Sequence, residues 1–295
     1  MTASDNNTKS SLGGAALLML ITRLLVNSLG IISSLILVRL LTPEDFGIAA
    51  IAMAVFAFIG LFGEFGFNTA LIQKNNPQKS DYDTVFTANL IFGSLACLVV
   101  LVGADTLAKF FENQNLTSVF QMLSFLFLIN GLKNVKAVDF QITMDFKKEM
   151  RLQVIPKFLS FFVTLLLAFI LESYWALILG SVLFSIFTVA FSYLMIPYKP
   201  SLSLVGIKEL FNYSKWLMIN NLFYYLNNKS IDLIVGKFIS TSAAGIYSMS
   251  KEMALLPATE VAAPINKASF PAYSRNKHNE EELCNLFYQT SAMIS

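Results

Sequence analysis

Leu35-Ile36-Leu37-Val38-Arg39-Leu40-Leu41-Thr42 returns 198 residues later as Leu233-Ile234-Val235-Gly236-Lys237-Phe238-Ile239-Ser240. Beyond the two copies, Gly47-Ile48 is answered by Gly245-Ile246 at the same spacing. The cation, the hydroxyl and the glycine keep their places while the apolar residues interchange, which marks a repeated structural unit. Each copy closes a long apolar run and is followed by a short turn and a second run, so the later pair replays the first in the same orientation. A parallel repeat along the membrane normal is an architecture of transporters that rock two halves about a central cavity.

The composition agrees that lipid is the main solvent. Of 295 residues, 55% are hydrophobic and 14% charged, against about 25% charged in an average soluble domain. Mean hydropathy is +0.61. Such a chain cannot cover a globule with polar groups, which excludes a soluble enzyme, a disordered chain and a disulfide-rich secreted domain. A net charge of +2 gives no electrostatic ground for binding nucleic acid. Cys97, inside an apolar run, and Cys284, in a polar connector, read as two unpaired thiols. His278 stands in a charged stretch without the Cys or carboxylate neighbours of a metal site.

A bilayer core needs about 20 apolar residues per helix. The chain offers runs at 12–38, 46–72, 84–104, 117–135, 154–172, 174–196, 213–239 and 243–266, with a ninth beginning near Leu286. Arg23 and Asn27 interrupt the first run and no small-residue cleavage site follows it, so it reads as a span and not as a signal peptide. Connectors on the N-terminal side hold 15 Lys and Arg, those on the other side 3. That asymmetry predicts a cytoplasmic N-terminus. The connector 139–153 mixes Phe, Ile and Met with charges at roughly helical spacing, which predicts a short amphipathic helix on the membrane surface. The fold class is therefore an all-α, polytopic membrane protein of about eight spans plus the start of a ninth, with a parallel internal repeat.

Polar residues inside the runs are the candidate site. Arg23, Asn27, Gly30 and Ser34 follow i, i+4, i+7, i+11 and share one helical face. The repeat offset carries three of them onto Asn221, Asn228 and Asp232, also on one face. Two readings stand side by side: both helices line a water-accessible cavity, or these groups pair between helices as glue. Charge at membrane depth costs about 2.5–3.5 kcal/mol on insertion scales and persists where it meets a partner, water or substrate. Arg23, Asn27, Asn221, Asn228, Lys229 and Lys251 are the candidates for substrate binding, and Asp232, Glu252 and Glu260 for binding a coupling ion. Lys229 and Asp232 stand at i, i+3 and can pair with each other, while Glu64 sits near the end of its run.

Enzyme motifs are weak. No phosphate-binding G-x-x-x-x-G-K-[ST] loop occurs, which speaks against direct ATP drive. Asp81-Tyr82-Asp83 has the D-x-D look of a metal-bound nucleotide-sugar site, but its connector is too short to hold a nucleotide. Glu44-Asp45 follows Thr42-Pro43, a cap hydroxyl and a first-turn proline, so its acids read as helix-start chemistry before catalysis.

Arg39-Leu40-Leu41-Thr42-Pro43-Glu44-Asp45-Phe46-Gly47 resembles the first outer loop of the polysaccharide-transporter family. Phe65-Gly66-Phe67-Asn68-Thr69-Ala70-Leu71-Ile72-Gln73 and Asp83-Thr84-Val85-Phe86 resemble its second and third spans. Gly236-Lys237-Phe238-Ile239, Gly245-Ile246-Tyr247 and Phe270-Pro271-Ala272 are similar to its seventh and eighth. These are the Wzx-type oligosaccharide-lipid flippases of the multidrug/oligosaccharidyl-lipid/polysaccharide superfamily, the likeness being greatest to the colanic-acid type.

The resemblance implies two six-helix lobes around a V-shaped cavity that alternates its opening. Here they would be an N-terminal lobe over 1–200 and an incomplete C-terminal lobe over 201–295. The ninth run is only starting at Ser295, so the chain is expected either to be a piece of a longer product or to be unable to close a transport cycle alone. The implied cargo is an undecaprenyl-pyrophosphate-linked oligosaccharide crossing the bacterial inner membrane, with Arg23 suited to meet the pyrophosphate and no cofactor required. Implied partners are that lipid-linked substrate, membrane lipids, and a polysaccharide polymerase with its chain-length machinery. The rivals are a drug/cation antiporter of the same superfamily, a membrane glycosyltransferase or polymerase using Glu44-Asp45, and a non-transporting scaffold.

Overall fold

The structure is a computed structural model. It describes residues 3–61, 67–74, 77–143, 145–208, 211, 219, 221–223, 225–227, 230–257, 284 and 288. Among these every regular element is helical: α1 (Ala3–Leu40), α2 (Pro43–Gly60), α3 (Phe67–Gln73), α4 (Lys79–Phe110), α5 (Asn115–Gly131), a 3-10 turn (Val135–Val138), α6 (Asp139–Ile142), α7 (Phe146–Leu171), α8 (Trp175–Met195), α9 (Ser230–Phe238) and α10 (Thr241–Pro257). The chain packs as one compact unit over Met1–Tyr247 and a second over Ser248–Ser295.

Among the described residues, five helices (α1 from Ile21, α2, α4, α7 and α8) are long and apolar enough to cross a membrane, or six if α5 and the segment Val135–Ile142, bent by 67°, count as one span. The expected runs from 12–38 to 174–196 fall on α1, α2 with α3, α4, α5, α7 and α8. Most of the run 213–239 and the end of 243–266 lie outside the described residues. Large apolar side chains such as Leu98, Val99, Val102 and Leu194 are exposed. A soluble protein would bury such a band, whereas lipid tails solvate it. The protein is a multi-pass membrane protein.

The main core lies where α4 and α5 run antiparallel against α2 and α8, with Ile51, Val100, Leu116, Phe120 and Ile178 buried. A smaller core of Leu37, Leu41, Ala168 and Ala176 seats the end of α1 against α7 and α8. After α8 the chain runs back along the start of α4 and is clamped there. Tyr198 Oη and Ser201 N donate to Asp83 Oδ1 at 2.6 and 3.1 Å, and Lys79 Nζ meets Asp83 Oδ2 at 2.9 Å. Further along, Ser203 N donates to Thr87 Oγ1 and Thr84 Oγ1 donates to Val205 O.

One expectation is corrected. The stretch 139–153 is not a single surface helix. α6 ends at Ile142, Asp145 accepts from Lys148 N at 3.2 Å as a new N-cap, and residues 146–153 form the first turns of α7. Phe140 is buried, so α6 belongs to the packed bundle. A capping aspartate restarts the helix because its carboxylate satisfies a backbone donor that a continuous helix would have used internally.

The repeat is visible in the boundaries themselves. α1 ends at Leu40 and α2 starts at Pro43; α9 ends at Phe238 and α10 starts at Thr241, each 198 residues on. Thr42 Oγ1 accepts from Asp45 N at 3.2 Å, and Ser240 Oγ accepts from Ala243 N at 3.1 Å. The same hydroxyl performs the same capping in both copies.

Candidate functional site

At the Thr42 end of the bundle the two repeat copies clasp each other. A Cβ placed on Gly47 would lie 1.9 Å from the carbonyl oxygen of Thr241, and one on Gly245 would lie 1.9 Å from that of Pro43. Thr241 stands 198 residues after Pro43 and Gly245 198 after Gly47, so the contact is reciprocal about a pseudo-twofold axis. Only glycine lets the backbones approach this closely. Neighbouring contacts reinforce the closure. Lys237, the repeat partner of Arg39, pairs with Glu112 Oε1 at 2.7 Å and stands 5.0 Å from the Phe110 ring centre. Asn113 Nδ2 donates to Thr241 Oγ1 at 3.3 Å, and the buried Tyr225 donates through Oη to Ala54 O at 3.0 Å. Glu112, two residues past the end of α4, has a left-handed backbone, φ 56°. Its hydrogen bond and attraction to the Lys237 ammonium hold its carboxyl below the usual glutamate range.

The opposite half of the same unit is hollow. A cavity of about 420 Å³ lies among α1, α3, α4, α5, α7, α8 and the bent segment after α5. Six amides line it (Asn68, Asn89, Asn130, Asn134, Gln141 and Gln153), together with Ser185 and Thr188. Lys133 and Glu149 supply one charge of each sign, and Val26, Leu152 and Phe184 supply apolar wall. Glu149 comes from the restarted α7: its Oε1 accepts from Gln141 Nε2 at 2.8 Å and Gln153 Nε2 at 3.2 Å. Its Oε2 is buried with no hydrogen-bond partner among the described residues. Asn134 is spent on structure, donating through Nδ2 to Ser192 O and Ile196 O and so pinning the bend to the end of α8.

Arg23 is half-buried on α1 and has no ion-pair or hydrogen-bond partner among the described residues. Asn27, one turn on, is also half-buried. Neither lines the cavity; Val26 between them does. A Cβ on Gly30, on the same face as Arg23, would meet nothing within 4 Å, so that face borders open space. Asn221 is half-buried and Asp232 buried on α9. Lys251 is half-buried and Glu252 exposed, both on the part of α10 that belongs to the second unit. Asn228, Lys229, Glu260, Glu64 and His278 lie outside the described residues.

The acidic motifs have structural duties. Asp81 accepts from Lys74 Nζ and Gln78 N, both at 2.8 Å, Asp83 holds the strap after α8, and Tyr82 donates to Asp139. Asp45 Oδ2 accepts from Thr42 N and Thr42 Oγ1, while its Oδ1 accepts from Tyr174 N at 2.8 Å and so ties α2 to α8. Both carboxylate oxygens of Asp45 are thus committed. The amide-lined cavity is what a search for mid-span charge passes over. Its readable signal is the spacing of Gln141, Glu149 and Gln153, together with amides near the ends of otherwise apolar runs.

A family model described as "Polysaccharide biosynthesis protein" matches residues 36–295. The chain is 22% identical over 278 residues to "Lipopolysaccharide biosynthesis protein WzxC" of Escherichia coli (strain K12), covering 93% of this chain and 56% of that protein. It is 24% identical to "Succinoglycan biosynthesis transport protein ExoT" of Rhizobium meliloti (strain 1021), covering 83% of this chain and 50% of that one. It is also 22% identical to "Teichuronic acid biosynthesis protein TuaB" of Bacillus subtilis (strain 168), covering 82% and 50%. The chain therefore spans about half the length of these relatives. Among solved structures, an inward-facing multidrug resistance MATE family transporter of the MOP superfamily matches with a TM-score of 0.61 at 15% identity, over 90% of this chain and 66% of that one. That likeness concerns the fold. With most of its length matched by the family model and its helices arranged as in a MATE-type transporter, this chain belongs to the polysaccharide biosynthesis protein family.

Proposed function

We propose that the protein moves an undecaprenyl-pyrophosphate-linked oligosaccharide across the bacterial inner membrane by alternating access, for the synthesis of a surface polysaccharide. The observation that carries this reading is the asymmetry of the bundle: the two repeat copies meet closely at Gly47 and Gly245 at one end while a polar hollow lies in the other half. A bundle shut at one end and wet at the other is one of the two states a rocking transporter needs. The names of the relatives, a succinoglycan transport protein among them, support the cargo class. In this reading the N-terminus is cytoplasmic, the clasp closes the outer end, and the two lobes divide near residue 200. A polysaccharide polymerase and its chain-length machinery act downstream.

The physical task is to give the sugar and pyrophosphate a polar route while the polyprenyl tail stays in lipid. Arg23, without an ion-pair or hydrogen-bond partner among the described residues and on a face that borders open space at Gly30, is available to meet the pyrophosphate. Asn27, Asn221, Asn228, Lys229 and Lys251 would replace lost hydration, and Asp232, Glu252 and Glu260 are the groups available to a coupling cation. The apolar Phe and Leu faces let the tail pass. Arg23→Ala should lower surface polysaccharide far more than it lowers membrane abundance of the protein; equal loss of both would make Arg23 structural. A deletion strain should accumulate lipid-linked oligosaccharide on the inner leaflet. Failure to make that lipid at all would point instead to a synthetic enzyme.

A further inference from the structure

α4 serves as a depth gauge for the strap that follows α8. On α4 the first exposed large apolar side chain is Ile91 and the last is Phe110. The step from 91 to 110 rises about 28 Å at about 1.5 Å per residue, close to the hydrocarbon thickness of about 30 Å. Thr87 and Asp83 stand four and eight residues before Ile91, so about 6 and 12 Å outside that core along the helix. The strap hangs on these two residues and on Thr84 between them. Ser201 N donates to Asp83, Ser203 N to Thr87, and Thr84 Oγ1 to Val205 O. It therefore dips toward the core at Ser203 and rises again at Val205, within the headgroup layer. Irregular backbone at this depth needs its donors satisfied, and Ser201 N, Ser203 N and Val205 N all have side-chain acceptors.

What the strap turns outward is apolar and basic. Leu202 is 74% exposed, Val205 72% and Leu204 50%. Lys199 and Lys208 flank them, exposed and with no ion-pair partner among the described residues. The nearby acids are already matched: Asp81 meets Lys74 at 2.8 Å and Asp83 meets Lys79 at 2.9 Å. A single exposed leucine is ordinary. Three such side chains in four residues, between two lysines and at headgroup depth, have the chemistry of an interfacial anchor on anionic lipid.

We infer that residues 199–208 form a membrane-interface anchor selective for anionic phospholipid. Leu202, Leu204 and Val205 enter the acyl boundary, and Lys199 and Lys208 hold the phosphate headgroups. Lysine suits this place because its stem lies along apolar surface while the ammonium stays with the phosphates. The clamp on Asp83 and Thr87 fixes the depth of the strap. The inference goes beyond the transport reading and does not rest on it. Cover by another part of the chain or a second protein, and simple exposure to water, are the rival descriptions.

The test uses the purified protein in vesicles of phosphatidylcholine mixed with an equal amount of phosphatidylglycerol. Leu202→Cys and Leu204→Cys, in a Cys284→Ser background with Cys97 buried, each carry a nitroxide. Its collision rates with oxygen and with a neutral nickel chelate are compared. Both labels should favour oxygen, whereas one at Lys199→Cys should favour the chelate. A fluorophore at Leu202→Cys then reports quenching by nitroxide lipid bearing either headgroup, diluted in phosphatidylcholine. Each lysine near an anionic surface strengthens attraction to it by about fivefold, so phosphatidylglycerol should be enriched there by about fivefold or more. The enrichment should vanish in Lys199→Gln with Lys208→Gln, and in about 1 M salt, where the screening length is about 3 Å. The same fluorophore at the exposed Leu98→Cys, mid-way along α4, should show no preference and controls for bulk lipid. Labels at Leu202 and Leu204 open to the chelate would put the strap in water, and labels shielded from both reagents would put it under protein. Either result overturns the inference. Equal quenching by the two lipids, or enrichment untouched by the lysine substitutions, overturns it as well.

Discussion

Gly47→Ala is the sharpest perturbation the structure offers. The new Cβ would sit 1.9 Å from the Thr241 carbonyl oxygen, where real Cβ contacts stop near 3.0 Å, so one backbone must retreat by at least 1.1 Å, the difference. Overpacking of this kind costs about 1–3 kcal/mol, which corresponds to about 5–150-fold in a two-state population. Alanine favours helix over glycine by about 1 kcal/mol, so any loss observed is net of that gain. Gly30→Ala makes the same helix gain with no clash and serves as the control. The assay is maleimide labelling of Thr241→Cys in a Cys284→Ser background, Cys97 being buried. Labelling should quicken by about tenfold or more in Gly47→Ala and stay unchanged in Gly30→Ala. The reciprocal Gly245→Ala should match Gly47→Ala in an Asn113→Cys background. Unchanged labelling in folded protein would refute the clasp.

Three further outcomes follow from the contacts. Asp83→Ala strands Tyr198 Oη, Ser201 N and Lys79 Nζ at once; it should cost about 2–4 kcal/mol and speed proteolysis of the strap after α8. Asp45→Ala removes a cap box and the tie to Tyr174 and should lower abundance by about 1–2 kcal/mol worth of stability, whereas Glu44→Gln should change neither abundance nor polymer synthesis. Synthesis abolished by Glu44→Gln would revive a catalytic reading. The Glu112 carboxyl is held below its ordinary value by Lys237, so its contribution is complete above about pH 4.3, the unperturbed glutamate value, and is lost as pH falls through the lower folded value. Labelling at Thr241→Cys, taken relative to the unfolded protein at the same pH so that the loss of thiolate cancels, should rise in that acid window and lose its remaining pH dependence in Glu112→Gln.

The fold was largely legible in the sequence because membrane spans announce themselves by length and apolarity, and because Arg39/Lys237, Thr42/Ser240 and Gly47/Gly245 hold their register over 198 residues. The meaning of the glycines was not legible: a glycine at a helix start has many uses, and only coordinates show carbonyls pressed against both. The stretch 139–153 misled because amphipathic spacing does not tell a surface helix from a helix interrupted by a capping aspartate, here Asp145. Mid-span charges point to Arg23, yet the cavity is built from amides contributed by α3, α4, α5, α7 and the bend. Amides carry no charge asymmetry and no strict period, so their convergence is a tertiary fact.

The most direct test of alternating access is to lock the clasp. Asn113 and Thr241 hydrogen-bond across it at 3.3 Å, so Asn113→Cys with Thr241→Cys, in the Cys284→Ser background, can be bridged by a short cleavable thiol cross-linker. Translocation of lipid-linked oligosaccharide in vesicles should stop on bridging and return on cleavage. Translocation that continues unchanged while the bridge is intact would contradict the account.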